Sequence, residues 1–208
     1  MKKDTKKVFH DGEFYFIKNV TQAELDILKK LNDCGILTEE PFSYELTTLK
    51  KPEDRFAPMA FFWAGINLMH KLKDVEQSMK ADIYSYLAEM IGQIHSLGIE
   101  HGNLTFKNIH WRDQKLVFGD FALADMKCVD WLSAENIMDS FIRDYSSIMY
   151  RAKIRYDDKE FWIKFFEQII RRYPISEQVR QELITLIKKE LELYFDEEKN
   201  EKRYYGFL

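Results

Sequence analysis

The stretch His101-Gly102-Asn103-Leu104-Thr105-Phe106-Lys107-Asn108, with Asp120-Phe121-Ala122 following twelve residues after Asn108, decides how this chain is read. Upstream of it, Met79, Ile83, Leu87, Met90, Ile91, Ile94 and Leu97 recur at the 3.6-residue period of a helix that stops at Gly98. From Ile99 to Asp125 that period is absent. Two short apolar runs, Ile109–Trp111 and Leu116–Phe118, flank Arg112-Asp113-Gln114-Lys115 and predict a hairpin. The order is therefore a long apolar helix, a loop, a hairpin and a second loop that opens on Asp120.

That order and spacing resemble the catalytic core of the protein-kinase-like superfamily. Its pattern is an apolar helix, then His-x-Asp-Leu-x-x-x-Asn, a hairpin, and Asp-Phe-Gly. Here the first motif is His101-Gly102-Asn103-Leu104 with Asn108, and the second is Asp120-Phe121-Ala122. Gly102 stands where signalling kinases carry Arg. In this the loop is similar to the small kinase of the KEOPS tRNA-modification complex and to aminoglycoside-type phosphotransferases. The resemblance is specific over residues 75–125 and elsewhere extends only to layout.

The chemistry accounts for the spacing. Phosphoryl transfer needs a divalent cation on the phosphate oxygens and a group that orients the acceptor hydroxyl. The resemblance implies Asn108 and Asp120 as oxygen ligands for Mg2+, Asn103 at the catalytic position, and His101 as a packing residue under the loop. Two departures matter. Asn103 stands where the family has Asp, so it orients a hydroxyl without taking its proton, and loss of a general base typically costs about 10²–10⁴ in rate. Ala122 replaces a Gly whose backbone freedom Ala lacks.

The front of the chain reads as a hairpin, Val8-Phe9 and Phe14–Ile17 around a Gly12 turn, followed by the capping-box pattern Thr21-Gln22-Ala23-Glu24 and a helix to Cys34-Gly35. Two strands are expected next, around Phe42–Leu49 and Met59–Trp63, with a bend at Gly65. The resemblance implies Lys18 as the ATP-binding lysine and Glu24 as its ion-pair partner, with Glu39 and Glu40 too late in the chain to substitute. Only 17 residues precede Lys18 and Gly12 is their sole glycine. A phosphate-covering Gly-rich loop is thus expected to be missing or reduced. No Ala-Pro-Glu motif follows Asp120, so a peptide-docking platform is not expected either. Helices are expected over about 134–152, 158–172 and 176–195.

Composition bounds the rest. Among 208 residues, Lys+Arg number 31 and Asp+Glu 35, a net charge of −4 that gives no nucleic-acid signal. A 46% hydrophobic content excludes disorder as the main state. The most apolar run, Ala57–Ile66, is about half of the ~20 residues a spanning helix requires, and the basic Met1–Lys7 is followed by no apolar signal core. Cys34 and Cys128 read as small buried residues, and two cysteines suit a reducing, cytoplasmic setting. His10, His70, His95 and His110 read as isolated surface or packing residues.

The expectation is one α+β, bilobal, protein-kinase-like domain. It has a truncated β-rich N-lobe at 1–64 and a helical C-lobe at 65–208, with nucleotide against the Ala60–Ala64 strand and hinge. Two functional classes fit. One is a degenerate kinase, a pseudokinase or very weak enzyme, that binds Mg-ATP, a protein partner or both. The other is an active minimal ATP-dependent phosphotransferase acting on a small molecule, a sugar or one dedicated protein. Asn103, Ala122 and the reduced front favour the first; Asn108 and Asp120 favour the second.

Overall fold

The computed structural model describes residues 6–10, 13–43, 57–62, 64–155 and 159–195. Along the chain these form β1 (Lys6–His10), β2 (Glu13–Val20), α1 (Gln22–Asp33), β3 (Ala57–Phe62), β4 (Ile66–Asn67), α2 (Leu68–Lys71), α3 (Gln77–Ser96), β5 (Ile99–Glu100), β6 (Ile109–Arg112), β7 (Lys115–Phe118), a 3-10 turn at Phe121–Leu123, β8 (Asp125–Met126), α4 (Ala134–Ser140), α5 (Ile142–Arg155), α6 (Lys159–Ile170) and α7 (Glu177–Phe195). They gather into two compact units. The first takes the chain up to Val75 together with Thr105–Ala124; the second takes Glu76–Leu104 and the chain from Asp125 on. The β6–β7 hairpin therefore groups with the front strands, although it lies well past residue 64.

In the first unit the expected hairpin is present, with β1 and β2 antiparallel and Phe9 opposite Phe14. β3 adds to the other edge of β2. Thr21 caps α1, its hydroxyl accepting the Glu24 N–H at 3.0 Å. At the far end Gly35 takes φ +78°, and the Ile36 N–H closes back on the Leu31 carbonyl at 3.0 Å. The apolar side of α1, Leu25, Ile27, Leu28 and Leu31, is buried. Most of the strand expected over Phe42–Leu49 lies outside the described residues. Just before and at its start, Pro41 forms an isolated antiparallel bridge with Phe61, and the Phe42 N–H donates to the Ala60 carbonyl at 3.0 Å. The second hairpin turns on Asp113 and Gln114, at φ 50° and 62°, the two left-handed residues of a tight two-residue turn. Its β6 pairs with β4.

The second unit is helical. α3 packs on α6 so closely that a Cβ at Gly92 would stand 2.3 Å from the Ile169 carbonyl oxygen. Gly92→Ala is expected to cost about 1–3 kcal/mol through overpacking, read as a lower midpoint in thermal unfolding. Trp162, Phe165, Phe166, Ile169 and Ile170 form the core side of α6. Val179, Leu183, Ile187 and Leu191 are buried on α7.

Three expectations are corrected. The helix expected over 134–152 is broken at Phe141, whose ring stacks on buried His95 with the ring centres 4.1 Å apart. Met79 lies on the exposed side of α3, which begins only two residues earlier. Cys34 and Cys128 are both exposed and free: Cys34 caps α1 just before Gly35, and Cys128 follows β8.

Candidate functional site

Lys18 lies on the inward face of β2, alternating with exposed Asn19 and followed by buried Val20. It is only 8% exposed. An isolated ammonium there would shed its proton, yet Lys18 Nζ donates to Glu24 Oε1 at 2.8 Å and to Glu39 Oε1. It also lies 4.6 Å from the Phe61 ring centre. Burial pushes its pKa down, but the Glu39 and Glu24 carboxylates outweigh that and raise it. Lys18 is therefore a buried cation in a carboxylate clamp, not a solvated strand-end lysine. Glu24 serves two ends, because its N–H is capped by Thr21 while its carboxylate reaches Lys18.

Glu39, set aside on sequence, joins this cluster. Asn32 near the end of α1 grips Thr38 twice, accepting its N–H at 3.2 Å and donating to its hydroxyl at 2.9 Å. The segment then pairs in parallel with the end of β7, with the Glu39 N–H on the Phe118 carbonyl at 2.8 Å. That pairing delivers Glu39 Oε1 to the Asp120 main-chain N–H at 2.8 Å, the same oxygen that meets Lys18. Glu39 thus ties the lysine to the start of the Asp-Phe-Ala segment.

Asn108 and Asp120 come from adjoining backbone. The Gly119 N–H donates to the Asn108 carbonyl at 2.7 Å, and Asn67 holds the preceding residue through the Lys107 carbonyl at 2.6 Å. A Cβ at Gly119 would stand 3.5 Å from both the Asn108 carbonyl and Glu39 Oε2. Asp120 takes the left-handed conformation, φ 62° and ψ 55°, which Asp tolerates better than most residues. Ala122 lies within the 3-10 turn, so the backbone freedom of the usual glycine is not used here. An amide and a carboxylate are hard oxygen donors and suit Mg2+, which leaves most of its shell to water and phosphate. Among the described residues no three His, Cys, Asp or Glu side chains form a metal cage.

Asn103 belongs to the second unit, where its loop is anchored by a residue the sequence reading missed. Asp144, fully buried in the first turn of α5, accepts the His101 N–H at 2.7 Å on one oxygen and the Gly102 N–H at 2.9 Å on the other. Gly102 has φ +74°. His101 Nδ1 then accepts the Asn103 N–H at 3.3 Å, so His101 acts from within the fold. Beneath them runs a buried chain: Tyr145 to Tyr173 at 2.6 Å, Tyr173 to His95 Nδ1 at 2.6 Å, and His95 Nε2 to Asp144 at 3.1 Å. The break before α5 means that the first N–H groups of that helix have no intrahelical acceptor. Buried Glu100 takes one of them, Arg143 N–H at 2.9 Å, and also pairs with the Arg143 guanidinium.

Comparison with known proteins narrows the superfamily. The sequence profile of the lipopolysaccharide kinase (Kdo/WaaP) family matches residues 1–129, which include Lys18, Glu24, Asn103, Asn108 and Asp120. The chain belongs to the lipopolysaccharide kinase (Kdo/WaaP) family. Its fold is protein-kinase-like. A structure described as WaaP in complex with acyl carrier protein matches with a TM-score of 0.67 at 16% identity, over 92% of this chain and 85% of that one. The Cydia pomonella granulovirus kinase PK-1 matches with a TM-score of 0.50 at 12% identity, over 91% and 81% of the two chains. Among curated proteins, the KEOPS complex subunit Bud32 of Pyrococcus abyssi is 27% identical over 120 residues, 58% of this chain and 50% of that protein. A probable bifunctional tRNA threonylcarbamoyladenosine biosynthesis protein of Methanosphaera stadtmanae is 27% identical over 161 residues, 73% of this chain and 28% of that one. This Kdo/WaaP-family chain thus spans half the length of the first relative and less of the second. No helix among its described residues is long and apolar enough to cross a membrane.

Proposed function

We propose that this chain binds Mg-ATP and is a weak phosphotransferase toward a hydroxyl acceptor of the sugar type, its transfer step limited by Asn103. The observation that carries the reading is the buried Lys18–Glu24 ion pair, linked through Glu39 to the main chain of Asp120. A buried lysine is costly to keep charged. Its retention next to a loop bearing Asn108 and Asp120 is what a phosphate-binding site requires. In this reading Lys18 holds phosphate oxygens of ATP, and Asn108 and Asp120 would hold Mg2+. When bound, Mg2+ supplies charge neutralisation on the phosphates. Phosphoryl transfer depends mainly on position and charge, so a site lacking a general base still supports slow transfer.

The acceptor class comes from the family, whose description is that of a lipopolysaccharide kinase. A second reading, a pseudokinase that binds a protein partner, is favoured by the amide at position 103. Acyl carrier protein accompanies WaaP in the matching structure, and a carrier protein is a partner class to try here.

A thermal-shift titration separates the readings. ATP with magnesium is expected to stabilise the protein, by about 2.7 kcal/mol at a hundredfold excess over Kd, and Asp120→Ala is expected to abolish the shift. A shift of equal size without magnesium, or one that survives Asp120→Ala, overturns the metal assignment. No shift at all leaves the partner-binding reading.

A further inference from the structure

Glu39 is a carboxylate that the kinase motifs do not call for. It stands on the ammonium that the proposed site uses for phosphate, and the same oxygen receives the Asp120 N–H at 2.8 Å. Its other oxygen lies 3.5 Å from where a Cβ at Gly119 would stand, so the carboxylate also borders the backbone just before Asp120. The charges near this point do not balance. Lys18 is a cation in direct contact with two carboxylates, and Asp120, whose main-chain N–H meets Glu39, carries a third.

A polyphosphate that enters on its own therefore meets an engaged lysine and excess negative charge. A polyphosphate that arrives with a divalent cation meets the opposite balance, because the carboxylates then face a metal. We propose that Glu39 makes this site selective for the metal complex of a nucleoside triphosphate over the metal-free anion, by competing with phosphate oxygens for Lys18. The inference rests on the nucleotide reading above and assigns to one residue the strictness of its metal requirement. Glu24 cannot do this alone, since Asp120 is tied to Glu39 Oε1. Glu39→Gln keeps an oxygen for the Asp120 N–H while removing the charge.

The test is calorimetric titration with ATP in excess magnesium and, separately, in EDTA. The proteins are wild type, Glu39→Gln, and Glu40→Gln, which removes the exposed neighbouring charge. Wild type is expected to bind Mg-ATP and to bind metal-free ATP at least about a hundredfold more weakly. Glu39→Gln is expected to narrow that gap by roughly tenfold or more, the scale of one unit charge close to a phosphate. Glu40→Gln is expected to leave it unchanged. Wild type that binds both forms equally overturns the inference even if Glu39→Gln fails to fold, and leaves the nucleotide reading standing. So does a folded Glu39→Gln that keeps the wild-type gap. If wild type binds ATP in neither condition, the nucleotide reading and this inference fall together.

Discussion

Asn103→Asp is expected to raise phosphoryl transfer by about 10²–10⁴, the usual contribution of a general base. The substitution restores a carboxylate at nearly constant volume. Its backbone is already held from below: Asp144 takes the two preceding N–H groups and His101 Nδ1 takes that of residue 103. The fold is therefore expected to tolerate the change. Labelled-phosphate release by wild type, Asn103→Asp, and Asn103→Asp with Asp120→Ala discriminates the outcomes. A gain that vanishes in the double variant supports both the position and the metal ligand. No gain while ATP still binds places the deeper defect in the front of the chain, and the partner-binding reading wins. Fast turnover in wild type that is lost in Asp120→Ala shows that an amide suffices at position 103.

The second large effect is on stability. Removing the carboxylate in Asp144→Ala strands the buried His101 N–H, the partly buried Gly102 N–H and His95 Nε2, and breaking a buried ionic anchor typically costs about 3–5 kcal/mol. For a chain of this size that corresponds to a loss of roughly 6–20 °C in Tm. The pH dependence follows from the same contacts. Burial alone would push the Asp144 pKa up, but the His95 hydrogen bond, the electrostatic influence of the His95 and His101 rings and the His101 N–H bring it below the ordinary 3.8. A depressed folded pKa gives stability that is complete above the unfolded value and lost as pH falls through the folded one. Wild type should therefore lose this contribution only below about pH 4, and Asp144→Asn should lack that part of the acid transition. Circular dichroism melts from pH 3 to pH 7 would show it. Equal acid transitions in both proteins would remove Asp144 as the source. In the Asn103→Asp background the same substitution is expected to cancel the gain in transfer, because the loop loses its anchor.

Local pattern and motif spacing determined much of this protein on their own. The period of residues 79–97 specifies a helix that ends at Gly98, because a Cβ is disfavoured at φ +72°. Apolar runs around Asp113-Gln114 specify a tight hairpin, and Thr21 three residues before Glu24 specifies a capped helix start. Lys18, Glu24, Asn103, Asn108 and Asp120 could be singled out because their order and spacing resemble the protein-kinase-like pattern. What only the tertiary structure decided are contacts between residues far apart in the chain. Glu39 meets the Asp120 N–H 81 positions away, through a parallel pairing with the end of β7 that leaves no period in the sequence. Asp144 meets the loop 43 positions away, and in sequence it is one more acidic residue early in a helix. The break at Phe141 is equally invisible, since the His95 ring on which Phe141 stacks belongs to another helix. Periodicity reports which face of an element is buried; it carries no information about which distant polar atom that face will meet. Those meetings are set by packing, once burial makes every unpaired N–H and every unpaired charge expensive.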